Sequence, residues 1–343
     1  MRRDRVSAAR RLPRLGFGGA SIGNLYRSIT ESQAHEAILG ALEAGITYFD
    51  TAPFYGFGLS ERRLGATLAQ TETGRAALIS TKVGRLLEPV TANAAVERHG
   101  FVGADAFDIH FDYGYDGVLR SFEQSCLRLK RDRVDILLAH DLGRQIHGEA
   151  HDTYFRQFLD GGYRAMRELR DQGSVGAIGL GVNEWEICVE TLQHVDLDVF
   201  LLAGRYTLLD HSALAEFLPL CTERDIPVIL GGPYNSGVLA SGSQGSALFN
   251  YARASEATLA QVRVIEALCR DFGVALPAAA LQFPLAYPQI ISVVPGLADR
   301  AEVQAARDLL ATPIPNAFWR ALRDQGLLPA AAPLPGGASR TAA

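Results

Sequence analysis

Asp50, Tyr55, Lys82, His140 and Asn183 are residue types that move protons or hold polar ligands, and each follows a short apolar run. The stretch Ile46 to Phe49 reads as a buried strand that stops on Asp50, and the following Pro53 and Gly56 make a turn that presents the phenol of Tyr55. Lys82 follows Leu78-Ile79-Ser80-Thr81, His140 follows Val134 to Ala139, and Asn183 follows Ala177 to Val182. Tyr206 stands just beyond the run Val199 to Leu202. An acid at a strand's carboxyl end, with an exposed phenol on the next loop, packs poorly and suits a catalytic mouth. Each residue also has an ordinary reading: Asp50 and Asn183 as helix caps, His140 as a satisfied core histidine, Tyr206 as a rim aromatic. Lysine adds a hint, because the chain has two of them, Lys82 and Lys130, among 33 basic residues. A compact ammonium that shifts its pKa readily, kept where arginine is the rule, points to chemistry at Lys82.

The elements that must position these residues alternate between apolar strands and helical patterns. Strands are expected near 12–17, 46–50, 77–81, 134–139, 177–181, 199–202, 228–230 and 290–294, with helical periodicity between each consecutive pair. Eight βα units in about 300 residues fit a parallel (β/α)8 TIM barrel better than an open doubly wound sheet. In such a barrel the polar residues at the strand ends converge on one mouth. Two long loops, 86–116 after the third strand and 142–162 after the fourth, carry no sustained period. The chain divides into an N-terminal arm (1–11), one barrel domain (12–329) and a tail rich in Ala, Pro and Gly (330–343) expected to be disordered. The turn Gly16-Phe17-Gly18-Gly19-Ala20 contains G-x-G without the spaced third glycine, so it reads as a tight barrel turn rather than a dinucleotide fingerprint.

Composition excludes several classes. A net charge of −5 offers no electrostatic footprint for nucleic acid or an anionic membrane surface, and no apolar run is long enough to span a bilayer. Cys126, Cys188, Cys221 and Cys269 lie far apart with no CxxC spacing, which argues for reduced thiols in a cytoplasmic protein and against disulfides or zinc. Other barrel chemistries fail against the inventory at the strand ends. A metal hydrolase wants His-x-His after the first strand, where Phe17-Gly18-Gly19 stands. A retaining glycosidase wants glutamates after the fourth and seventh strands, where His140 and Gly231 stand. A Schiff-base aldolase wants an isolated lysine, whereas Lys82 has Asp50 as an expected partner.

The runs Phe49-Asp50-Thr51-Ala52-Pro53-Phe54-Tyr55-Gly56, Ser80-Thr81-Lys82-Val83-Gly84 and Leu137-Leu138-Ala139-His140-Asp141 together resemble the aldo-keto reductase superfamily over about residues 11–310. Within it, Asp112-Tyr113, Gly179 to Glu184, Leu202 to Leu209 and Gly231 to Gly237 are similar to the branch that oxidises aldoses and pyridoxal. The resemblance implies roles. Tyr55 would be the general acid/base, Lys82 a nearby cation favouring the phenolate, and Asp50 the partner that fixes Lys82. His140 would donate to the substrate oxygen. Asn183 would hold the nicotinamide carboxamide and Tyr206 stack on its ring. Gly19, the turn Gly232, Pro233, Asn235, Ser236, Gly237, and Pro295-Gly296 would line the cofactor, with backbone N–H groups turned to its pyrophosphate and adenosine end.

Two departures from that pattern matter. Val182 and Ala203 stand where many members carry a serine and a glutamine, leaving Asn183 alone for the carboxamide. After the eighth strand Pro295-Gly296-Leu297-Ala298-Asp299-Arg300 offers an acid before its single base, which favours NAD, with NADP still open through Arg300. The resemblance thus implies an NAD(P)-dependent dehydrogenase oxidising the anomeric hydroxyl of an aldose, with pyridoxal or a small aldehyde as alternative substrate. A monomer or homodimer is expected, with no nucleic-acid or membrane partner and no metal. From another class stands a cofactor-binding regulatory subunit that does not turn over. An intact set of Asp50, Tyr55, Lys82 and His140 weighs towards turnover.

Overall fold

A computed structural model describes residues 9–91, 97–244 and 248–336. Strands β1 (Phe17–Gly18), β2 (Tyr48–Asp50) and β3 (Leu78–Val83) open a parallel sheet. A hairpin, β4 (Arg85–Pro89) and β5 (Phe107–Phe111), interrupts it, and β6 (Val134–His140), β7 (Val175–Val182), β8 (Val199–Ala203) and β9 (Val228–Gly231) continue it. A second small hairpin, β10 (Leu248–Phe249) with β11 (Ala252–Arg253), precedes the last barrel strand, β12 (Ile290–Val294). The eight-stranded order is β1-β2-β3-β6-β7-β8-β9-β12. Parallel bridges Leu15–Val293 and Gly18–Gly296 bring its two edges together, closing the barrel. Helices α1 (Glu31–Glu43), α2 (Leu59–Leu68), α3 (Tyr115–Leu129), α4 (Tyr163–Asp171), α5 (Glu186–Leu192), α6 (Phe217–Glu223), α7 (Glu256–Phe272), α8 (Leu276–Gln282), α9 (Arg300–Ala311) and α10 (Asn316–Asp324) accompany the strands. This is the expected TIM barrel.

The strands alternate between two cores. Tyr48, Ile136, Leu138, Ala177, Val199, Leu201, Ile229 and Val294 point into the barrel and form one cluster. Their neighbours Phe49, Leu137, Ile178, Phe200, Leu202, Leu230 and Val293 belong to the larger cluster between sheet and helices. That period of two puts Asp50, Ser80, Lys82 and His140 on the inner face at the carboxyl ends, in line with Tyr48, Leu78, Ile136 and Leu138 below them. Helix starts obey local chemistry: Thr30 and Gln33 form a reciprocal capping box on α1, and Ser255 caps α7. Each such cap is typically worth about 1 kcal/mol.

Three expectations need revision. The stretch after β3 is not irregular, because β4 and β5 pair antiparallel from Arg85–Phe111 to Pro89–Phe107. The stretch 142–162 holds short helices at Arg144–His147 and His151–Gln157, and a π turn at Phe158–Gly162 that runs into α4. Both termini pack further than expected. Ala9 is buried against the inner cluster, and Ala332 is buried beside α10, where Arg323 donates to its carbonyl. Residues 1–8 and 337–343, the remainder of the expected arm and tail, lie outside the described residues.

Candidate active site

Lys82 is almost wholly buried, and its Nζ lies 3.0 and 2.9 Å from the two carboxylate oxygens of Asp50, 2.9 Å from the carbonyl of Thr51 and 3.0 Å from Tyr55 Oη. Ser80 Oγ donates to Asp50 Oδ1 at 2.7 Å, so the carboxylate is held from the sheet side as well. Strand β7, one strand beyond β6, leaves room for this lysine across the barrel interior. A Cβ added at Gly181 would lie 3.1 Å from Lys82 Cε, tighter than ordinary contact. Tyr55 is carried by the turn after β2, where Tyr55 N–H donates to the carbonyl of Ala52. Gly56 follows with φ +67°, and a Cβ there would meet the carbonyl of Gly23 at 2.4 Å, so only glycine fits this close approach. His140 completes the group, its ring edge-on to Tyr55 at 5.9 Å between centroids.

The electrostatics differ from expectation at one point. Burial pushes the Tyr55 phenol well above its usual range, and the Asp50 and Asp141 carboxylates push the same way. The contact with Lys82 does not reverse this, because the same ammonium is shared with both oxygens of Asp50. Burial, with Arg85 and Lys82 nearby, pushes the His140 imidazole well below its usual value, so it is neutral at neutral pH. A neutral imidazole can donate a hydrogen bond to a carbonyl or hydroxyl oxygen beside the phenol. Asp50, Lys82 and Tyr55 are thus joined by hydrogen bonds, with the His140 ring beside the phenol.

Asp50 and Tyr55 line one end of a cleft of about 680 Å³. Gly19, Gly232, Pro233, Ser236, Gly237, Pro295 and Gly296 line it, as expected, and so do Arg27, Glu302, Ala305 and Leu309 at the far end. Among the described residues no atom lies within 4 Å of a Cβ added at Gly237, and the nearest to one at Gly232 is 3.9 Å away, so side chains there would meet open cleft. An extended dinucleotide fits such a trough, with glycine backbone beside its middle. The backbone donors are less available than expected. The N–H groups of Gly19, Gly232, Asn235 and Gly237 are bonded to the carbonyls of Asp50, Val294, Gly232 and Tyr234.

Several expected cofactor residues are elsewhere. Tyr206 is fully buried and stacks on Phe283 at 5.1 Å, with Tyr287 and His211 edge-on to it. Gly204, at φ +68° just past β8, turns the chain so that this ring enters the core instead of the cleft. Asn235 is buried and donates to the carbonyl of Gly204, bracing the turn rather than lining the cleft. Asp299 caps α9 by accepting from Glu302 N–H, and Arg300 is paired with Glu36 and Glu43 on the outer face of α1. Neither Asp299 nor Arg300 lines the cleft. Asn183 donates to Asp141 at 3.1 Å and accepts from Tyr251 Oη at 3.3 Å, close to the chemistry end.

Sequence reasoning missed Tyr26, Arg27, Tyr251 and Glu302. Tyr26 and Tyr251 meet at Ser236, whose side chain bonds the Tyr26 hydroxyl and accepts from Tyr251 N–H. Tyr26, Ser236 and Tyr251 have φ of +64°, +62° and +65°, a costly conformation for side chains of this size. The one available signal was Asn250-Tyr251 between the short runs of a hairpin. Arg27 donates to Glu302 at 2.7 Å across the far end of the cleft.

The aldo/keto reductase family model matches residues 14–325. Pyridoxal 4-dehydrogenase of Microbacterium luteolum is 38% identical, over 92% of this chain and 94% of that protein. D-threo-aldose 1-dehydrogenase of a Pseudomonas species is 36% identical, over 94% of this chain and 97% of that protein. Among solved structures, an aldo-keto reductase of Bacillus halodurans in its holo form superposes with a TM-score of 0.71 at 23% identity, covering 92% of each chain.

Proposed function

The chain belongs to the aldo/keto reductase family, an oxidoreductase family that uses nicotinamide cofactors, and from that premise we propose that it oxidises the anomeric carbon of an aldose to a lactone with NAD. The observation that carries the reading is the contact of Lys82 Nζ with Tyr55 Oη at 3.0 Å and with Asp50 at 2.9 Å, at the inner end of a glycine-lined cleft of about 680 Å³. A bound nicotinamide cofactor supplies the hydride acceptor. The protein's part is the proton. Tyr55 Oη takes the hydroxyl proton of the substrate as the carbon–oxygen double bond forms and the carbon-bound hydrogen leaves as hydride. Lys82, fixed by Asp50, donates to Tyr55 Oη and steadies the phenolate as that proton moves. His140 orients the same oxygen.

A second reading, pyridoxal as substrate, is favoured by the 38% identity to a pyridoxal dehydrogenase. Both substrates close on an internal hydroxyl to a cyclic hemiacetal, so one reaction, hemiacetal to lactone, covers both. The preference for NAD rests on Glu302 rather than Asp299. Its carboxylate lines the far end of the cleft, where a ribose hydroxyl can donate to it and a 2′-phosphate is repelled. A panel of aldoses, pyridoxal and simple aldehydes with NAD and NADP, followed by absorbance at 340 nm, tests the whole reading. Lactone formation from an aldose with NAD is the expected result. Activity confined to open-chain aldehydes with NADPH would overturn it.

A further inference from the structure

Asp141 follows His140 at the end of β6 with φ +47°, a left-handed conformation that Asp tolerates better than most residues. Its N–H still bonds the carbonyl of Gly181, and Tyr113 Oη donates to the carbonyls of His140 and Asp141 at 2.6 and 3.3 Å. The backward turn brings its carboxylate to three partners. Oδ2 lies 2.5 Å from Arg85 Nη2 and 3.4 Å from His140 Nε2, and Oδ1 accepts from Asn183 Nδ2 at 3.1 Å. Arg85 is itself fixed, its guanidinium 4.1 Å over the Phe54 ring and 5.3 Å from that of Phe111.

We propose that Asp141, clamped by Arg85, is the positioning residue that orients His140 and Asn183 together, one towards the substrate oxygen and the other towards the nicotinamide side. The inference rests on the function proposed above. The pair is buried, with side chains 5% and 6% exposed, where an ion pair gains little net stability over apolar residues of similar size. Its partners explain its presence better than stability does. A carboxylate beside Asn183 holds Nδ2 towards it, so that Oδ1, which accepts from Tyr251 Oη at 3.3 Å, keeps a second lone pair for an amide N–H. The same carboxylate, 3.4 Å from His140 Nε2, favours the tautomer with the proton on that nitrogen, at a separation long enough for the N–H to be shared with a substrate oxygen, while Nδ1 is buried with no hydrogen-bond partner among the described residues. The other groups facing the imidazole are Tyr55 from the turn after β2, Lys82 from β3 and Arg85 from β4.

The test compares Asp141→Asn with the double variant Arg85→Met/Asp141→Asn, which removes both charges and leaves no orphaned ion. NAD affinity is measured without substrate by quenching of intrinsic fluorescence, alongside kcat, KM and the melting temperature. Both variants should bind NAD about tenfold more weakly and lose kcat about ten- to a hundredfold, with the KM for substrate changed less. In Arg85→Met, His140 loses a neighbouring cation, so the acid limb of kcat/KM should move up by about one pH unit. A double variant with wild-type kcat and wild-type NAD affinity would overturn the proposal and leave the pair merely structural. Should the wild-type protein oxidise no hemiacetal, the functional reading fails, and the NAD titration still decides the link between Asp141 and Asn183.

Discussion

At the two ends of one cleft, ion pairs of similar length sit in opposite surroundings. Lys82 and Asp50, 2.9 Å apart, have side chains 1% and 5% exposed, whereas Arg27 and Glu302, 2.7 Å apart, are 57% and 42% exposed. The inner pair grows from two adjacent barrel strands and is surrounded by further hydrogen bonds. The outer pair joins the loop after β1 to the first turn of α9 and faces water. Breaking a buried pair by removing one partner typically costs about 3–5 kcal/mol, while exposed pairs are worth about 0–1 kcal/mol. The inner end is therefore committed to one chemistry, and the outer end can change its ligand preference at little cost to the fold.

The largest effect should come from Tyr55→Phe, which keeps the ring and removes the proton-transfer atom. Turnover should fall by about 10²-fold or more, with NAD affinity close to wild type. Steady-state and binding measurements check this, and a fully active variant would break the assignment of the inner end. Lys82→Met should slow turnover strongly at neutral pH, though less than Tyr55→Phe, and it strands Asp50 in the barrel, so stability should drop by about 3–5 kcal/mol in denaturant titrations. Adding Asp50→Asn should restore the stability without restoring turnover. Recovery of both would mean that the pair only holds the fold.

The pH dependence sharpens the same contrast. The Tyr55 phenol is pushed well above its usual range, so its proton-accepting form grows as pH rises. Oxidation should accelerate steadily into the alkaline range, and the reverse reduction should not. His140 is pushed well below its usual value, so no inflection is expected near pH 6.5. A plateau in oxidation reached by neutral pH would contradict this ordering.

The outer pair predicts a change of preference instead of a loss. Glu302→Lys places a cation at the far end of the cleft, where Arg27 then keeps only Asp299, 3.7 Å away, as a carboxylate partner. A charge-assisted contact is worth about 1.5–3 kcal/mol, which at 1.4 kcal/mol per decade moves the ratio of kcat/KM for NADP over NAD by roughly ten- to a hundredfold. Kinetics with both cofactors would decide, and an unmoved ratio would place the ribose hydroxyls elsewhere.

What the sequence made legible follows the same division. The barrel and its inner group could be read because strand ends carry position: Asp50, Lys82 and His140 each close an apolar run, and the period of two fixes which way they face. The hairpin β4–β5 was also within reach, since Phe107-Asp108-Ile109-His110-Phe111 alternates strictly, but the long segment around it hid the pattern. Side chains beyond the strand ends obey no such rule. Tyr206 lies three residues past β8, and one glycine with positive φ sent its ring into the core. Asp141 drew no role from the sequence, because its left-handed backbone turns the carboxylate onto Arg85, which arrives from the unrecognised hairpin. Glu302 stands on a helix, where the residue facing the cleft depends on the angle at which α9 leaves the sheet.

The smallest effects should come from the two residues that the family resemblance singled out for cofactor choice. Asp299 accepts from Glu302 N–H as the cap of α9, and serine is an equally good cap, so Asp299→Ser should leave both the helix and the cofactor preference as they are. Arg300 points away from the cleft to Glu36 and Glu43 on α1, a solvent-exposed cluster screened by salt. Arg300→Ala should leave the ratio of NAD to NADP efficiency unchanged and the melting temperature within experimental scatter at physiological ionic strength. If Arg300→Ala instead weakened NADP selectively, the phosphate would have to lie on the α1 side of α9, and the contrast between the two ends of the cleft would have to be redrawn with Arg300, not Glu302, at its outer end.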